Sequence, residues 1–479
     1  MSAQKRGAGA TTPPTMGSAL DAALVARLAA SAQDPGARVA HNAVTRVGAD
    51  EVALDRRRLQ SLDHSFSVVL DDWKVTNQRA SGRCWMFAAL NLMRAQATKR
   101  FKRKDFEFSQ SYLQFWDKLE RANYVLHALQ EIADAPVDDR RLVFLLERAM
   151  EDGGQWNMVA ALVAKHGLVP QAAMPETYSS SHTRRLNSVL RTLVRRAAAQ
   201  MRAALAEIPA ASNGANAAGT GAIDAAGIAA RGEALAEIRE RALTDIYRVL
   251  AIDLGEPPAS FVWQWNDDDR NFHREAEMTP QQFAEQHAGV AVDDYVCVVH
   301  DPRPEHPVAR TYTVDLLGNV VGAPPVIYLN AEMADLKAMA RATLEEGEPV
   351  WFGCDSGKHM LRKAGVWDRQ LYDYDGLYGV DLGLDKVARL HLRESAMTHA
   401  MLLTGVDVLD DTVRRWRCEN SWGDENGKQG FFALSDEWFD QYVYEIAVHR
   451  DRLPSRLRDA LDLEPIVLPP WDPMGSLAG

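Results

Sequence analysis

The sequence predicts an α+β fold: a helix-rich first half, a strand-rich second half, a helical insertion between them and an extended C-terminal arm. Three observations predict it. Apolar residues recur at helical spacing from Cys84 to His166 and again from Thr183 to Leu254. From Tyr295 onward, short apolar runs bounded by turn residues read as strands. The stretch 463–479 holds four prolines and no helical pattern.

In chain order, residues 1–20 are rich in Ala, Thr, Pro and Gly and read as disordered, and 19–31 as a short helix. Residues 54–70 form an approach ending in Phe66–Leu70. A helix follows to about Ala97, with Ser81 as N-cap and an apolar stripe at Trp85, Ala88, Ala89, Leu92 and Met93. The basic run Lys99–Lys104 reads as a solvated helix end. Helices follow at 109–131 and 138–150. Glu151–Trp156 makes a tight turn into the helix Asn157–His166. Thr183–Glu207 and Leu235–Leu254 read as helices, and 209–232, dominated by Ala, Gly, Asn and Thr, as a mobile loop between them.

The acidic run Asn266–Asp269 lacks the spaced oxygen ligands of a calcium loop and reads as a polar turn. Thr279 caps a helix to His287, with Pro280 in its first turn. Strands are expected at 295–300, 312–320, 326–329, 349–354, 399–407, 413–419 and 430–434, with a helix at 331–345 and a Tyr- and Gly-rich loop at 367–384. The segment 438–450 closes the globular part. The expected domains are therefore an N-terminal extension (1–50), a helical half (51–180), an inserted helical domain (181–290), a β-rich half (291–462) and the arm (463–479).

The chemistry converges on three places. Gln78-Arg79-Ala80-Ser81-Gly82-Arg83-Cys84 delivers a thiol to the first turn of a helix. The positive end of the helix dipole there favours thiolate, and outward-pointing N–H groups can hold an oxyanion, with the Gln78 amide as a second donor. His399 heads an apolar run, and an imidazole is the base that a cysteine nucleophile needs. Asn420 ends the next strand, where an amide oxygen can fix the imidazole's ring and tautomer. Asp355 and His359 stand four apart but have no third ligand nearby, so no metal site is read there.

The chain has 479 residues, a formal net charge of −12 and 47% hydrophobic residues. The charge argues against general nucleic-acid binding. Cys84, Cys297, Cys354 and Cys418 show no CxxC spacing, so neither a disulfide framework nor a zinc site is expected, and a reducing compartment is favoured. No apolar h-region opens the chain and no apolar run reaches membrane-spanning length, so the expected location is the cytoplasm.

The constellation resembles the papain-like cysteine proteases, and among them the bleomycin hydrolase and bacterial aminopeptidase C family. The resemblance is carried by Val75–Gln78 with Ser81–Trp85, Phe108–Tyr112 with Phe115–Lys118, Asp152–Trp156, Leu254–Pro258, Trp351–Asp355, Met397–Met401, Glu419–Gly423 and Pro470–Ala478. It implies a papain-like fold with Cys84, His399 and Asn420 as the catalytic set and Gln78 at the oxyanion. Gly153 and Gly154 would line the substrate cleft, and Trp422 would shield the His–Asn hydrogen bond. The helical insertion is expected in that family. So is an arm whose terminal carboxylate, at Ala478 and Gly479, lies in the cleft and pairs with the free amine of a peptide. The resemblance thus implies an aminopeptidase, active on peptides and related amides such as bleomycin, without metal or organic cofactor, assembled as a homohexamer. Two alternatives stand beside it: an endopeptidase or general amide hydrolase, and a nucleic-acid-binding homologue using Lys99–Lys104 and Arg184–Arg202.

Overall fold

The structure is a computed structural model that describes residues 19–33, 35–70, 73–208 and 225–478. The disorder expected for 1–18, the loop residues 209–224 and the terminal Gly479 lie outside the described residues. The chain forms two compact units. The smaller joins residues 1–59 to 372–383. In it, the helices Ala22–Ala30 and Pro35–Val47 precede Ala49–Ala53. Tyr374 Oη donates to Asp50 at 2.7 Å, and the Asp373 N–H to the Ala53 carbonyl at 2.8 Å. The expected loop 367–384 therefore contains a short helix, Tyr374–Tyr378.

The larger unit is built on a mostly antiparallel sheet. Its order runs from Ile466–Leu468 through Arg310–Val314, Tyr328–Asn330, Tyr295–Val299, Val443–His449 and Val350–Cys354 to His399–Leu409, Thr412–Glu419 and Phe431–Ser435. Alternate residues serve opposite faces. On the strand Val350–Cys354, Trp351 joins the core shared with the helix Cys84–Phe101, while Phe352 and Cys354 join a second core with Trp416, Phe432 and Trp438. The helix Cys84–Phe101 lies between helices and sheet and is buried on all sides, not along a single stripe.

Differences from the expected elements have physical causes. The helix Ala225–Leu254 begins ten residues before Leu235, so the 225–232 part of the expected loop is helical. Residues 261–278 form a hairpin, Phe261–Asn266 with Phe272–Met278, inside the segment expected to be helical. The acidic turn between these strands is organised by Asp267, which accepts from Asn271 N and Nδ2 and from His273 Nε2 at 2.8 to 3.2 Å. The expected strand 312–320 stops at Val314, where Asp315 N turns to pair with Leu468. Arg191, Arg195 and Arg202 donate to the carbonyls of Ala149, Leu146, Ala133 and Ala135, and Arg196 pairs with Asp245. These cations are committed to holding helices together, which weakens a nucleic-acid reading.

One buried acid gives a stability prediction. Glu445, on Val443–His449, is buried beside Cys297, whose thiol donates to Asn157 Oδ1 at 2.9 Å. Burial pushes the Glu445 carboxyl up to about 8, outweighing the lowering effect of the adjacent Cys297. Between the ordinary value of 4.5 and about 8 the folded chain keeps a proton that the unfolded chain releases. The stability from that proton is full below 4.5 and is lost as pH rises through about 8. Glu445→Gln keeps the neutral shape, so thermal melts at pH 8 are expected to show it more stable than the parent by on the order of a few kcal/mol. The gain should shrink towards pH 5, and parallel pH profiles for the two proteins would overturn the assignment.

Candidate active site

The helix at Cys84 is capped differently from the sequence expectation. Arg83 occupies the N-cap, with no side-chain cap bond. Ser81 Oγ instead donates to the Gln78 carbonyl at 2.6 Å and accepts from Arg83 Nε at 2.9 Å. The reason is that Arg83 is buried and drawn elsewhere, with its guanidinium bidentate on Glu176 at 2.8 and 2.9 Å and on Gln114 Oε1 at 3.0 Å. The loop therefore tightens on itself. Arg79 adopts a positive φ of 56°, its N–H held by Asn77 Oδ1 at 2.9 Å.

Gln78 is locked at both ends of its amide. Its Oε1 accepts from Ser421 Oγ at 2.7 Å and its Nε2 donates to the Ser81 carbonyl at 2.7 Å, which leaves the second hydrogen of Nε2 for another acceptor. Gln78 N also donates to the Ser421 carbonyl at 2.8 Å, tying this loop to the segment that carries Asn420.

The strand His399–Leu409 packs against the N-terminus of the Cys84 helix, which brings the start of the strand to the thiol. The N–H of Ala400, next to His399, points at Cys84 Sγ at 3.4 Å. On the far side of the imidazole, Nε2 lies 3.0 Å from Asn420 Oδ1. That oxygen only accepts, so the neutral ring carries its proton on Nε2 and leaves Nδ1 as the acceptor. The Trp422 ring stacks on the imidazole at 5.0 Å between centroids and 29° between planes. The Arg362 guanidinium lies 4.3 Å from the centroid of the Trp422 ring. Glu419, one residue before Asn420, is held by Trp73, Asn91 and Arg94, which clamps the strand end to the Cys84 helix.

Electrostatics correct one expectation. The helix terminus was expected to favour thiolate, but burial pushes the Cys84 thiol up to about 12, outweighing the backbone N–H groups of Ala400, Trp85 and Cys84 that face it. Burial also takes the His399 imidazole down to about 4, against the Asn420 hydrogen bond that raises it. In both groups burial works against the charged form.

Gly153 and Gly154 form the facing wall. A Cβ on Gly154 would lie 2.5 Å from the Trp85 ring, and one on Gly153 would lie 2.8 Å from Leu477 and 2.9 Å from the Ala478 carbonyl. Only a bare backbone fits between them. The C-terminal arm runs along this wall. Gln155 Nε2 donates to the Ser476 carbonyl at 2.6 Å, Ser476 Oγ to the Met397 carbonyl at 2.8 Å, and Gly154 N to the Ala478 carbonyl at 3.1 Å. Gly154 and Ala478 make an antiparallel bridge, and Ala478 is fully buried. Upstream, Asp472 takes a bidentate pair from Arg303 at 2.8 and 3.1 Å, and Arg140 stands 3.6 Å over the Trp471 ring.

The structure thus brings Cys84, Gln78, His399, Asn420, Trp422, Gly153, Gly154 and Ala478 into one neighbourhood. Sequence reasoning gave no role to Asp152. Its carboxylate joins Lys118 at 2.7 Å, Asn187 at 2.7 Å and Thr183 at 2.5 Å and accepts from Gly82 N at 3.2 Å, while its carbonyl accepts from Trp85 Nε1 at 2.8 Å. It couples the two walls of the groove. Its partners are far apart in the chain, so no local spacing announces it. Asp355 is occupied by Ser395 Oγ at 2.8 Å, Gly357 N at 3.3 Å and Thr398 Oγ1 at 3.4 Å. Among the described residues, no cluster of three or more His, Cys, Asp or Glu is placed to hold a metal, and no helix is long and apolar enough to cross a membrane.

Comparison with known proteins gives the same picture. The Peptidase C1-like family model matches residues 20–220 and 222–475. The chain is 40% identical over 450 residues to aminopeptidase C of Lactobacillus delbrueckii subsp. lactis, spanning 93% of this chain and 95% of that one. It is 40% identical over 455 residues to bleomycin hydrolase of Rattus norvegicus, spanning 93% and 96%. The crystal structure of PepW from Lactobacillus rhamnosis superposes with a TM-score of 0.88 at 41% identity, covering 97% of this chain and all of that one.

Proposed function

The chain belongs to the Peptidase C1-like family and has its papain-like α+β fold, and from that premise we propose that it is a cysteine aminopeptidase. The carrying observation is the arm: Ala478 pairs with Gly154 as a peptide strand would, in the groove beside Cys84. A cleft filled on that side leaves room for only the first residue of a substrate before the scissile bond. A terminal carboxylate there would select a peptide that begins with an ammonium.

In this reading His399 Nδ1 takes the Cys84 thiol proton as Sγ attacks the substrate carbonyl. Gln78 Nε2 and the Cys84 N–H hold the oxyanion. Collapse breaks the C–N bond, and the departing amine takes the proton back from His399. Water, deprotonated by His399, then frees the acyl group from sulfur. Asn420 keeps Nδ1 turned towards Cys84 throughout, and Trp422 keeps water from their hydrogen bond. Amides such as bleomycin fall within the same chemistry. A homohexamer and a reducing, cytoplasmic setting for the four free cysteines are parts of the same proposal.

The test compares an aminoacyl amide bearing a free amine with its N-acetylated twin. The free-amine substrate should be hydrolysed and the blocked one should not. Equal turnover of both would replace the aminopeptidase with an endopeptidase or general amide hydrolase.

A further inference from the structure

Resting on that aminopeptidase reading, we propose that Arg362 is a specificity-determining residue for the leaving group, favouring substrates that carry a carboxylate just beyond the scissile bond. The argument begins with the sidedness of the groove. The arm fills the wall at Gly153 and Gly154, where the amine end of a substrate must stop. His399 hands its proton to the departing amine, so the leaving group passes on the imidazole's side of Cys84. That side is built from Trp422, stacked on His399, and Arg362, lying over Trp422.

Arg362 is exposed, and among the described residues it makes no ion pair. Its contact is the indole ring of Trp422, at 4.3 Å from the centroid, and a cation held over a ring keeps its N–H donors for other acceptors. Its charge is also felt at the imidazole, where it helps to hold His399 uncharged. A guanidinium without a carboxylate partner on an acidic chain would attract an anionic leaving group. A planar guanidinium matches a carboxylate through two parallel hydrogen bonds. Two sources supply that carboxylate: the free C-terminus of a dipeptide, or an Asp or Glu side chain in the second position.

Both sources can be separated with one set of substrates sharing an N-terminal alanine: Ala-Ala, Ala-Ala-amide, Ala-Asp-amide and Ala-Lys-amide. The readout is the ratio of kcat/KM values within each enzyme, which cancels any general loss of activity. For the parent, Ala-Ala or Ala-Asp-amide should exceed Ala-Ala-amide by about three- to five-fold at low salt, shrinking as salt is raised, as expected for a solvent-exposed ion pair. A preference for Ala-Ala alone would assign the terminal carboxylate, and one for Ala-Asp-amide the side chain. In Arg362→Gln the ratio should fall to near one. In Arg362→Glu it should invert in favour of Ala-Lys-amide, while Arg362→Lys should restore part of it. A parent ratio near one, or a ratio unchanged in Arg362→Gln, overturns the proposal while leaving the aminopeptidase standing. Absence of turnover for every free-amine substrate would remove the aminopeptidase reading and this one with it.

Discussion

Replacing Cys84 with alanine should abolish hydrolysis, lowering kcat by at least about 10⁴-fold, while the folded chain is kept. The expectation is large because the nucleophile has no substitute within reach. Cys354 and Cys418 are also buried thiols, but they face the second core on the other side of the sheet, and the buried Cys297 thiol donates to Asn157 Oδ1. Removing Sγ takes away one weak acceptor from the Ala400 N–H and leaves a small void at the helix N-terminus. Circular dichroism and a melting curve close to the parent's would show that the loss is chemical. Persistent turnover in a Cys84→Ala protein would remove the cysteine mechanism and everything built on it.

The second large effect concerns the arm. A chain ending at Gly475, lacking Ser476–Gly479, should gain hydrolysis of N-acetylated substrates that the parent refuses. The blocked-to-free ratio of kcat/KM should rise by about 10²-fold, the scale of removing the segment that pairs with Gly154. The truncation removes Ser476 from Met397 and Gln155, and Ala478 from Gly154, which exposes the backbone of the groove wall. It keeps the anchors upstream: the strand Ile466–Leu468, the Arg303 pair on Asp472 and the Arg140 contact on Trp471. The globular unit should therefore melt much as the parent does. If blocked substrates stay refused by a truncated enzyme that still cleaves free-amine ones, the selector lies elsewhere in the groove.

Much of this protein was legible locally. Thr279 caps its helix with Pro280 in the first turn, as the sequence predicts, and Gln282 completes a capping box, because a cap is satisfied by neighbours three residues away. The strands at 399–409 and 412–419 follow from runs of apolar and β-branched residues between turns, and Asn420 falls just past the second. Gln78 and Cys84 lie in one short loop, so their proximity needs no long-range folding. The hairpin 261–278 was not legible, because its first strand sets aromatics against Val, Gln and Asn and its second is mostly polar, both on a half-exposed surface that resembles polar coil.

What the sequence by itself determined was which chemistry is present and in which elements: a thiol opening a helix, an imidazole opening a strand, an amide ending the next, and a proline-rich tail unable to become helix. What only the tertiary structure decided was how those groups behave. Burial, which no local spacing encodes, opposes the expected thiolate by pushing Cys84 up and His399 down. Ser81 loses the cap because Glu176, more than ninety positions away, holds Arg83. Asp152 joins the two groove walls through Lys118, Thr183 and Asn187. The place of the tail depends on Gly153 and Gly154 presenting bare backbone to it. The common reason is that desolvation and pairing are set by residues distant in the chain, whereas caps, turns and periodicity are set by neighbours.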